Sequence, residues 1–457
     1  MTSIDINDRH TRARKSLDTA MGLQAAGQLE LAQREYAHVL AAEYRMLDVL
    51  PLLAGVVAKR GDRELALYYW DKLLTQHPGH VVGLIEKGML LHQLSRYGEA
   101  VDCFRIAKAI SPTNTVVRTN LSVALADAGR TDDALVELSQ LLTLQPGNIH
   151  AAHQFRRLAA TVVPFWHPAM MNDGVRNDAF EAAILRAVER RGADAQVLDI
   201  GTGSGLLSLM AARAGAQNIV TCEMVPAVAR TAERIVAANG YGEAIKVFGK
   251  SSTDLSVGSE LPRKADIFVS EILSSDLLAE NVLKTFEDAH ARLIEDDAII
   301  IPRAARAIGC LADSQTLSNY AHVSDVSGFD MTLFNSLAPQ RLPLHGAMTD
   351  WTRLSDDFEL VSVDLTARSF APELRKMSIT AKADGRATGV VQWLDVDLID
   401  DITFSNHPDQ AHEGHWLQVL HTFPEPVMVK AGQTIDLVVG HDKTSIIVVP
   451  APAKPAR

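Results

Sequence analysis

The sequence predicts a chain of three parts, an all-α repeat array, then an α/β domain, then an all-β domain, and three observations carry that expectation. Small and bulky residues recur at a fixed interval through the first third. In the middle, a glycine-rich turn at residues 199–205 joins an apolar strand to a helix. Beyond residue 310 the chain breaks into short alternating apolar runs, the pattern of strands with one buried face.

The repeat is the clearest signal. Ala32, Ala66, Ala100 and Ala134 lie 34 residues apart, and four residues after each comes a large residue, Tyr36, Trp70, Phe104 or Leu138. Pro78, Pro112 and Pro146 keep the same interval, as do Gly27, Gly61 and Gly129, with Ser95 in the remaining slot. Glycine permits a tight turn, a small alanine lets two helices approach, and proline ends the second helix. The large residue four places on shares the alanine's helical face and packs on the neighbouring pair. This resembles the tetratricopeptide repeat over about residues 13–147, with Gly88, Ala100, Phe104, Ala107 and Pro112 in register in the third unit. Four repeats in a domain at 13–150 are expected. Such arrays offer a concave groove to a peptide or protein partner; the plainer reading is that the array pads or dimerises its neighbour.

Composition narrows the class. With 457 residues the chain is long enough for several cores, and 47% hydrophobic against 22% charged residues is globular. The opening MTSIDINDRHTRARK has no apolar core after its charges, and no run approaches the length needed to span a bilayer, so a cytoplasmic location and no membrane contact are expected. Cys103, Cys222 and Cys310 stand far apart, which supports neither a disulfide framework nor a cysteine zinc site, and no metal is expected. A net charge of −12 argues against direct nucleic-acid binding and suits basic ligands.

Within the middle third, AFEAAILRAVERR (179–191) reads as an amphipathic helix, AQVLDIGTGSG (195–205) as a strand entering a turn, LLSLMAARAG (206–215) as the next helix, and NIVTCE (218–223) as the next strand. Residues 158–172 read as a connection. Gly201, Gly203 and Gly205 let backbone approach a ligand, and Glu223 at a strand tip can accept hydrogen bonds from both hydroxyls of a ribose. Leu206 stands where a dinucleotide fingerprint needs glycine, which excludes the GxGxxG reading.

What stands there instead, DIGTGSG from Asp199 to Gly205, resembles motif I of class I S-adenosylmethionine-dependent methyltransferases, and three further segments resemble the protein arginine N-methyltransferase family. In WHPAMMNDGVRN (166–177), His167, Met170, Asp173 and Arg176 match the segment that closes over the cofactor. The resemblance implies that Arg176 grips the methionine carboxylate, that Met170 lines the reaction site and that His167 flanks the cofactor. VSEILSSDLLAEN (269–281) is similar to the family's paired-glutamate hairpin, with Glu271 and Glu280 as catalytic and substrate-binding residues. A guanidinium is planar and charged at any physiological pH. Two carboxylates can hold its plane and draw positive charge away from one nitrogen. At the adenine end, Ser251 and Ser252 replace the acid that many members carry.

The last third, with FELVSVDLT, GVVQWLDVDLI, GHWLQVLHTF and TIDLVVGHD, resembles the family's β-barrel, and GFDMTLFNS (328–336) its segment after the dimerisation arm. Gly414, His415 and Trp416 stand where the family has a Thr-His-Trp loop, the threonine missing. There His415 is expected to pair with Asp173 and act beside it in catalysis, and Trp416 to contact substrate.

The implied architecture is therefore a tetratricopeptide repeat array at 13–150, a Rossmann-like class I methyltransferase domain at 160–303 and a β-barrel domain at 304–450, with an arm in 310–328 and a homodimer expected. The cofactor implied is S-adenosyl-L-methionine, the substrate an arginine-containing protein or peptide. Alternatives are methylation of a small guanidino compound or another nucleophile, and a repeat adaptor with an inactive methyltransferase domain. Two departures accompany the serines. No tyrosine lies between Tyr97 and Tyr241, so the aromatic YFxxY lid of many members is missing, and one catalytic copy is present where the nearest relatives have two.

Overall fold

A computed structural model describes residues 3–410 and 414–451, which divide into a unit ending at Val163 and a unit beginning at Pro164. The first unit is helical throughout: α1 (Ser3–Ala25), α2 (Leu29–Ala41), α3 (Met46–Lys59), α4 (Arg63–Gln76), α5 (Val81–Gln93), α6 (Tyr97–Ile110), α7 (Thr115–Asp127), α8 (Thr131–Leu144) and α9 (Ile149–Val162). Each helix packs on its neighbour in sequence. The four periodic alanines are completely buried, and Tyr36, Trp70, Phe104 and Leu138 are buried beside them. Part of the stretch read as a connection, residues 158–162, is the last turn and a half of α9, so the helical unit runs one helix beyond four pairs. Here Asn148, whose side chain accepts from the amide of Ala151, starts a helix that the sequence reading ended too early.

Turn chemistry explains the period. Gly27, Gly61 and Gly129 have φ of +73°, +94° and +73°, and Ser95 in the same slot has +59°. That left-handed conformation strains a residue with a β-carbon. At Gly88 the constraint is space: an added β-carbon would lie 2.7 Å from the Phe104 ring.

The second unit opens with α10 (His167–Met171) and α11 (Gly174–Arg191). An alternating core follows: β1 (Gln196–Ile200), α12 (Leu206–Arg213), β2 (Asn218–Cys222), α13 (Pro226–Ala238), β3 (Ile245–Phe248), β4 (Ala265–Val269), α14 (Val282–Arg292) and β5 (Ile294–Ile301). These strands form one parallel sheet in the order β3-β2-β1-β4-β5. The direction of winding reverses between β1 and β4, and ligands of such sheets bind outside the carboxyl ends of the strands at that point. Strand β1 is buried along its whole length, as a central parallel strand covered on both faces must be.

The remainder is antiparallel. After β6 (Ala304–Asp313) come α15 (Gln315–Ala321), a small hairpin of β7 (Asp325–Val326) and β8 (Phe329–Asp330), then β9 (Arg341–Pro343), β10 (Thr352–Arg353) and β11 (Phe358–Asp364). The chain ends on β12 (Glu373–Thr380), β13 (Gly385–Ile399), β14 (Ile402–Ser405), β15 (Val419–Val429), β16 (Thr434–His441) and β17 (Ile446–Pro450). The main sheet runs β10-β6-β13-β15-β9, with β11 on β6 and β14 on β13; β12, β16 and β17 form a second sheet. One apolar core is continuous from the parallel sheet into this β-domain, taking in Phe268 and Phe286 on one side and Trp416 and Phe423 on the other. GHWLQVLHTF, read as a strand run, is a strand only from Val419; residues 414–418 are loop.

The turn geometry makes a stability test. Ser95→Gly should raise stability by about 1 kcal/mol by relieving the left-handed strain, and Gly88→Ala should lower it by about 1–3 kcal/mol through overpacking on Phe104. Urea unfolding of the intact chain measures both; a less stable Ser95→Gly contradicts the turn argument.

Candidate active site

Three adjacent strands deliver three groups to one edge. β1 runs into Gly201–Gly205, β2 ends against Glu223, and β4 ends against Glu271. Gly201, Gly203 and Gly205 all have positive φ, at +90°, +53° and +87°. A β-carbon on Gly201 would meet Ile272 at 2.6 Å, so the turn is pressed against the segment after β4. The Glu223 carboxylate is held at its strand tip by the amides of Gly203 at 3.2 Å and Val225 at 2.9 Å. Below the turn, burial pushes Asp199 up to about 6 against the stabilising hydroxyl of Ser208, which donates to it at 2.6 Å. Ser251 and Ser252 open a short 3₁₀ turn after β3, Ser252 buried and Ser251 half-buried.

The segment 166–177 crosses to this edge. Asp173 caps α11, its Oδ1 accepting from the amide of Arg176 at 3.1 Å. Its Oδ2 accepts from both the backbone amide and Nδ1 of His415, each at 3.1 Å, with both side chains almost fully buried. Burial alone raises a carboxyl; here the hydrogen bonds from His415 and Arg176 outweigh it and hold Asp173 below the usual range. Burial also lowers the His415 imidazole, which is therefore neutral, with Nδ1–H on Asp173 and Nε2 as its basic nitrogen. Trp166 stacks on His167 with centroids 4.6 Å apart, and Met170 is half-buried beside them in α10.

Arg176 engages the acidic hairpin. Its Nη2 ion-pairs with Glu271, its Nη1 donates to Asn177 at 2.8 Å, and its guanidinium lies 5.0 Å over the Phe180 ring. The fork that the resemblance directs to a methionine carboxylate is thus shared with the acidic hairpin. Desolvation nevertheless wins at Glu271 and pushes it up to about 7 against the pull of Arg176. Glu280, at the other end of the hairpin, keeps its surface open to water; partial desolvation, then the charges of Glu223 and Asp276, raise it too. Arg176 thus pairs with Glu271, while Glu280 and Asp173 add their negative charge at Glu271 and Glu223 adds its own at Glu280. Such a surplus of carboxylate attracts cationic ligands.

The β-domain supplies the far wall. Trp416 is buried and its Nε1 donates to the carbonyl of Leu273 at 3.0 Å, so its indole nitrogen is spent on the hairpin backbone. Sequence reasoning missed Phe180 beneath Arg176, and it missed Arg341, which pairs with Asp276 in the hairpin at 2.5 Å. An arginine opening a three-residue edge strand gave no signal; an aromatic residue four places after Arg176 on one helix did.

Does this edge suit S-adenosylmethionine? Among the described residues the buried Nδ1 of His167, Nε of Arg176 and Oδ1 of Asp199 have no hydrogen-bond partner. A ligand bearing carboxylate, amine and ribose hydroxyls would complete such a set, and a sulfonium cation suits the excess negative charge. Glu223→Ala should weaken S-adenosylhomocysteine binding by about 1.5–3 kcal/mol, the loss expected for charge-assisted hydrogen bonds. Isothermal calorimetry measures it; unchanged affinity would show that Glu223 does not read the ribose.

Residues 310–446 match the model of the arginine methyltransferase oligomerization subdomain, and residues 182–302 match that of ribosomal protein L11 methyltransferase. The chain is 38% identical over 313 residues to an arginine N(omega)-methyltransferase of Streptomyces achromogenes subsp. streptozoticus, covering 67% of this chain and 85% of that protein. It is 30% identical over 319 residues to protein arginine N-methyltransferase 7 of Drosophila erecta, covering 61% of this chain and 46% of that protein; the chain spans less than half of that relative. In fold it is similar to the Trypanosoma brucei PRMT1 enzyme–prozyme heterotetrameric complex with AdoHcy, with a TM-score of 0.55, 22% identity, and coverage of 62% of this chain and 89% of that one. The likeness to the Streptomyces protein over most of its length shows that this chain belongs to the arginine methyltransferase family of S-adenosylmethionine-dependent enzymes.

Proposed function

We propose that the chain transfers a methyl group from S-adenosylmethionine to a guanidinium nitrogen of arginine in protein or peptide substrates. The observation that carries this reading is the acidic hairpin: a buried Glu271 and a solvent-open Glu280 flank one loop, both held above the usual carboxyl range and both better satisfied by a cation. S-adenosylmethionine supplies a methyl group on an already activated sulfonium. Arg176, His167, Asp199, the glycine turn, Glu223 and Ser251 with Ser252 hold the cofactor. Met170 borders the reacting group and Trp416 fixes the substrate side through the hairpin. Glu271 and Glu280 orient the guanidinium plane, and their charge favours the lone pair on the remaining nitrogen. His415, neutral and braced by Asp173, has a basic nitrogen able to accept the departing proton.

A second reading has its own support. The Streptomyces relative is named for arginine without mention of protein, which makes a free guanidino compound the alternative substrate. The repeat array favours a macromolecule, because it adds a binding surface that a small molecule does not need; its partner is a peptide or protein. The matched oligomerization subdomain and the exposed apolar side chains of Val326, Phe329, Met331, Leu333, Phe334 and Leu337 support a homodimer. These six extend past the arm expected at 310–328. No described helix is long and apolar enough to cross a membrane, and a cytoplasmic location fits the enzyme.

Glu271→Gln and Glu280→Gln keep the shape and remove the charge, so single-turnover methyl transfer to an arginine peptide at saturating cofactor should slow by roughly 10², about 2.7 kcal/mol; cofactor affinity should be unchanged in Glu280→Gln, whereas Glu271→Gln also unpairs Arg176. Rates within threefold of the original would remove the paired-carboxylate mechanism. The pH dependence carries a sign. Glu271 is a carboxylate above about 7 and a neutral acid below it, and only the carboxylate draws a guanidinium. kcat/KM for the peptide should therefore fall as pH drops through that value, with the limb absent in Glu271→Gln.

A further inference from the structure

The β-domain contains a polar cluster, buried at two of its three members and partly exposed at Arg341, that the chemistry above does not use. Arg341 on β9, His421 on β15 and Gln392 on β13 occupy three neighbouring strands: Arg341 pairs directly with His421, and His421 pairs with Val390, two residues from Gln392 and so on its face. Gln392 is completely buried and His421 nearly so. Buried polar groups at the centre of a sheet cost stability unless every hydrogen bond is made. Here His421 braces Gln392, and Gln392 and Arg341 are spent on the acidic hairpin.

Burial, with the charge of Arg341, lowers His421 to about 3, so its ring is neutral at any working pH. Its Nε2 donates to Gln392 Oε1 at 2.7 Å, which fixes the amide so that Gln392 Nε2 points outward and donates to the carbonyl of Ser275 at 3.1 Å. The amide of Leu417 donates to the Ser275 hydroxyl at 3.0 Å. Beside it, Arg341 Nη1 meets Asp276 Oδ2 at 2.5 Å. Asp276 is the hub of the turn itself: its Oδ1 accepts from the Ser274 hydroxyl at 2.6 Å and from the amide of Ala279 at 3.2 Å, tying one side of the hairpin to the other. Leu277 follows at φ +74°, a strained conformation that persists only where its surroundings over-determine it.

We propose that Arg341, Gln392 and His421 are positioning residues that act through Asp276 and Ser275 to set the separation and aim of Glu271 and Glu280. Asp276 comes five positions after Glu271 and four before Glu280, so the hub sits mid-loop. A shift there is felt at both carboxylates. Misplacing oriented groups by about 1 Å can cost about 10²-fold in rate. The proposal rests on methyl transfer as the reaction of this site, and it assigns the cluster no contact with substrate or cofactor.

The test uses the intact chain. Arg341→Met removes the charge and keeps much of the side-chain volume; Arg341→Lys keeps the charge. For Arg341→Met, single-turnover methyl transfer to an arginine peptide should slow by about tenfold, S-adenosylhomocysteine affinity should stay within about twofold, and amide exchange of residues 274–280 should speed up while that of β1 and β4 does not. Arg341→Lys should restore both rate and protection. A rate within about twofold of the original, or a loss of rate matched by an equal loss of cofactor affinity, overturns the proposal. If the unaltered chain transfers no methyl to arginine, the functional reading fails first, and exchange alone then decides: unchanged protection of residues 274–280 in Arg341→Met overturns the clamp.

Discussion

Glu271 keeps a carboxylate almost wholly out of water, and the rest of the site is arranged around that cost. An isolated buried charge is so unfavourable that the group neutralises instead, and removing one partner of a buried pair typically costs about 3–5 kcal/mol. Arg176 is the partner, and it reaches Glu271 from the first turn of α11. The position of that turn depends on Asp173, which caps the helix and also binds His415 from the β-domain. A single chain of contacts thus runs from the parallel sheet through the N-terminal segment to the β-domain. The incompletely compensated charge is what an incoming cation can exploit.

Parallel-sheet topology explains why the groups meet. Adjacent parallel strands must end on the same edge, so the glycine turn, Glu223 and Glu271, separated by up to 70 residues in sequence, become neighbours without any special folding device. An antiparallel domain appended to this edge can then wall the opening. Trp416 and Leu417 do so with a nitrogen each, and the buried Gln392 and His421 extend the contact into the β-domain's own sheet. The acidic hairpin is therefore held from both the parallel sheet and the β-domain.

How much of this was legible depended on whether the signal was local. The 34-residue interval was visible because each repeat solves the same turn and packing problem, down to Ser95 adopting the glycine conformation. The glycine turn and the acid after β2 were readable for the same reason: their chemistry sits within a few residues. The pairing of Asp173 with His415 links residues 242 apart and could be expected only from family likeness. Gln392 and His421 lay in plain view inside apolar runs, where an inward polar residue signals a buried network, but their partner is a loop more than 100 residues upstream. The end of α9, residues 158–162, was read as connection, and the engagement of Arg176 by Glu271 had no sequence signature at all.

The central claim is that this acidic hairpin serves a guanidinium. Incubating the chain with methyl-labelled S-adenosylmethionine and arginine-rich protein, hydrolysing the product and separating its amino acids tests that directly. The account predicts label on methylated arginine and none on lysine or carboxyl groups. Label on lysine, or no transfer to protein or free arginine by a chain that binds cofactor, would contradict it.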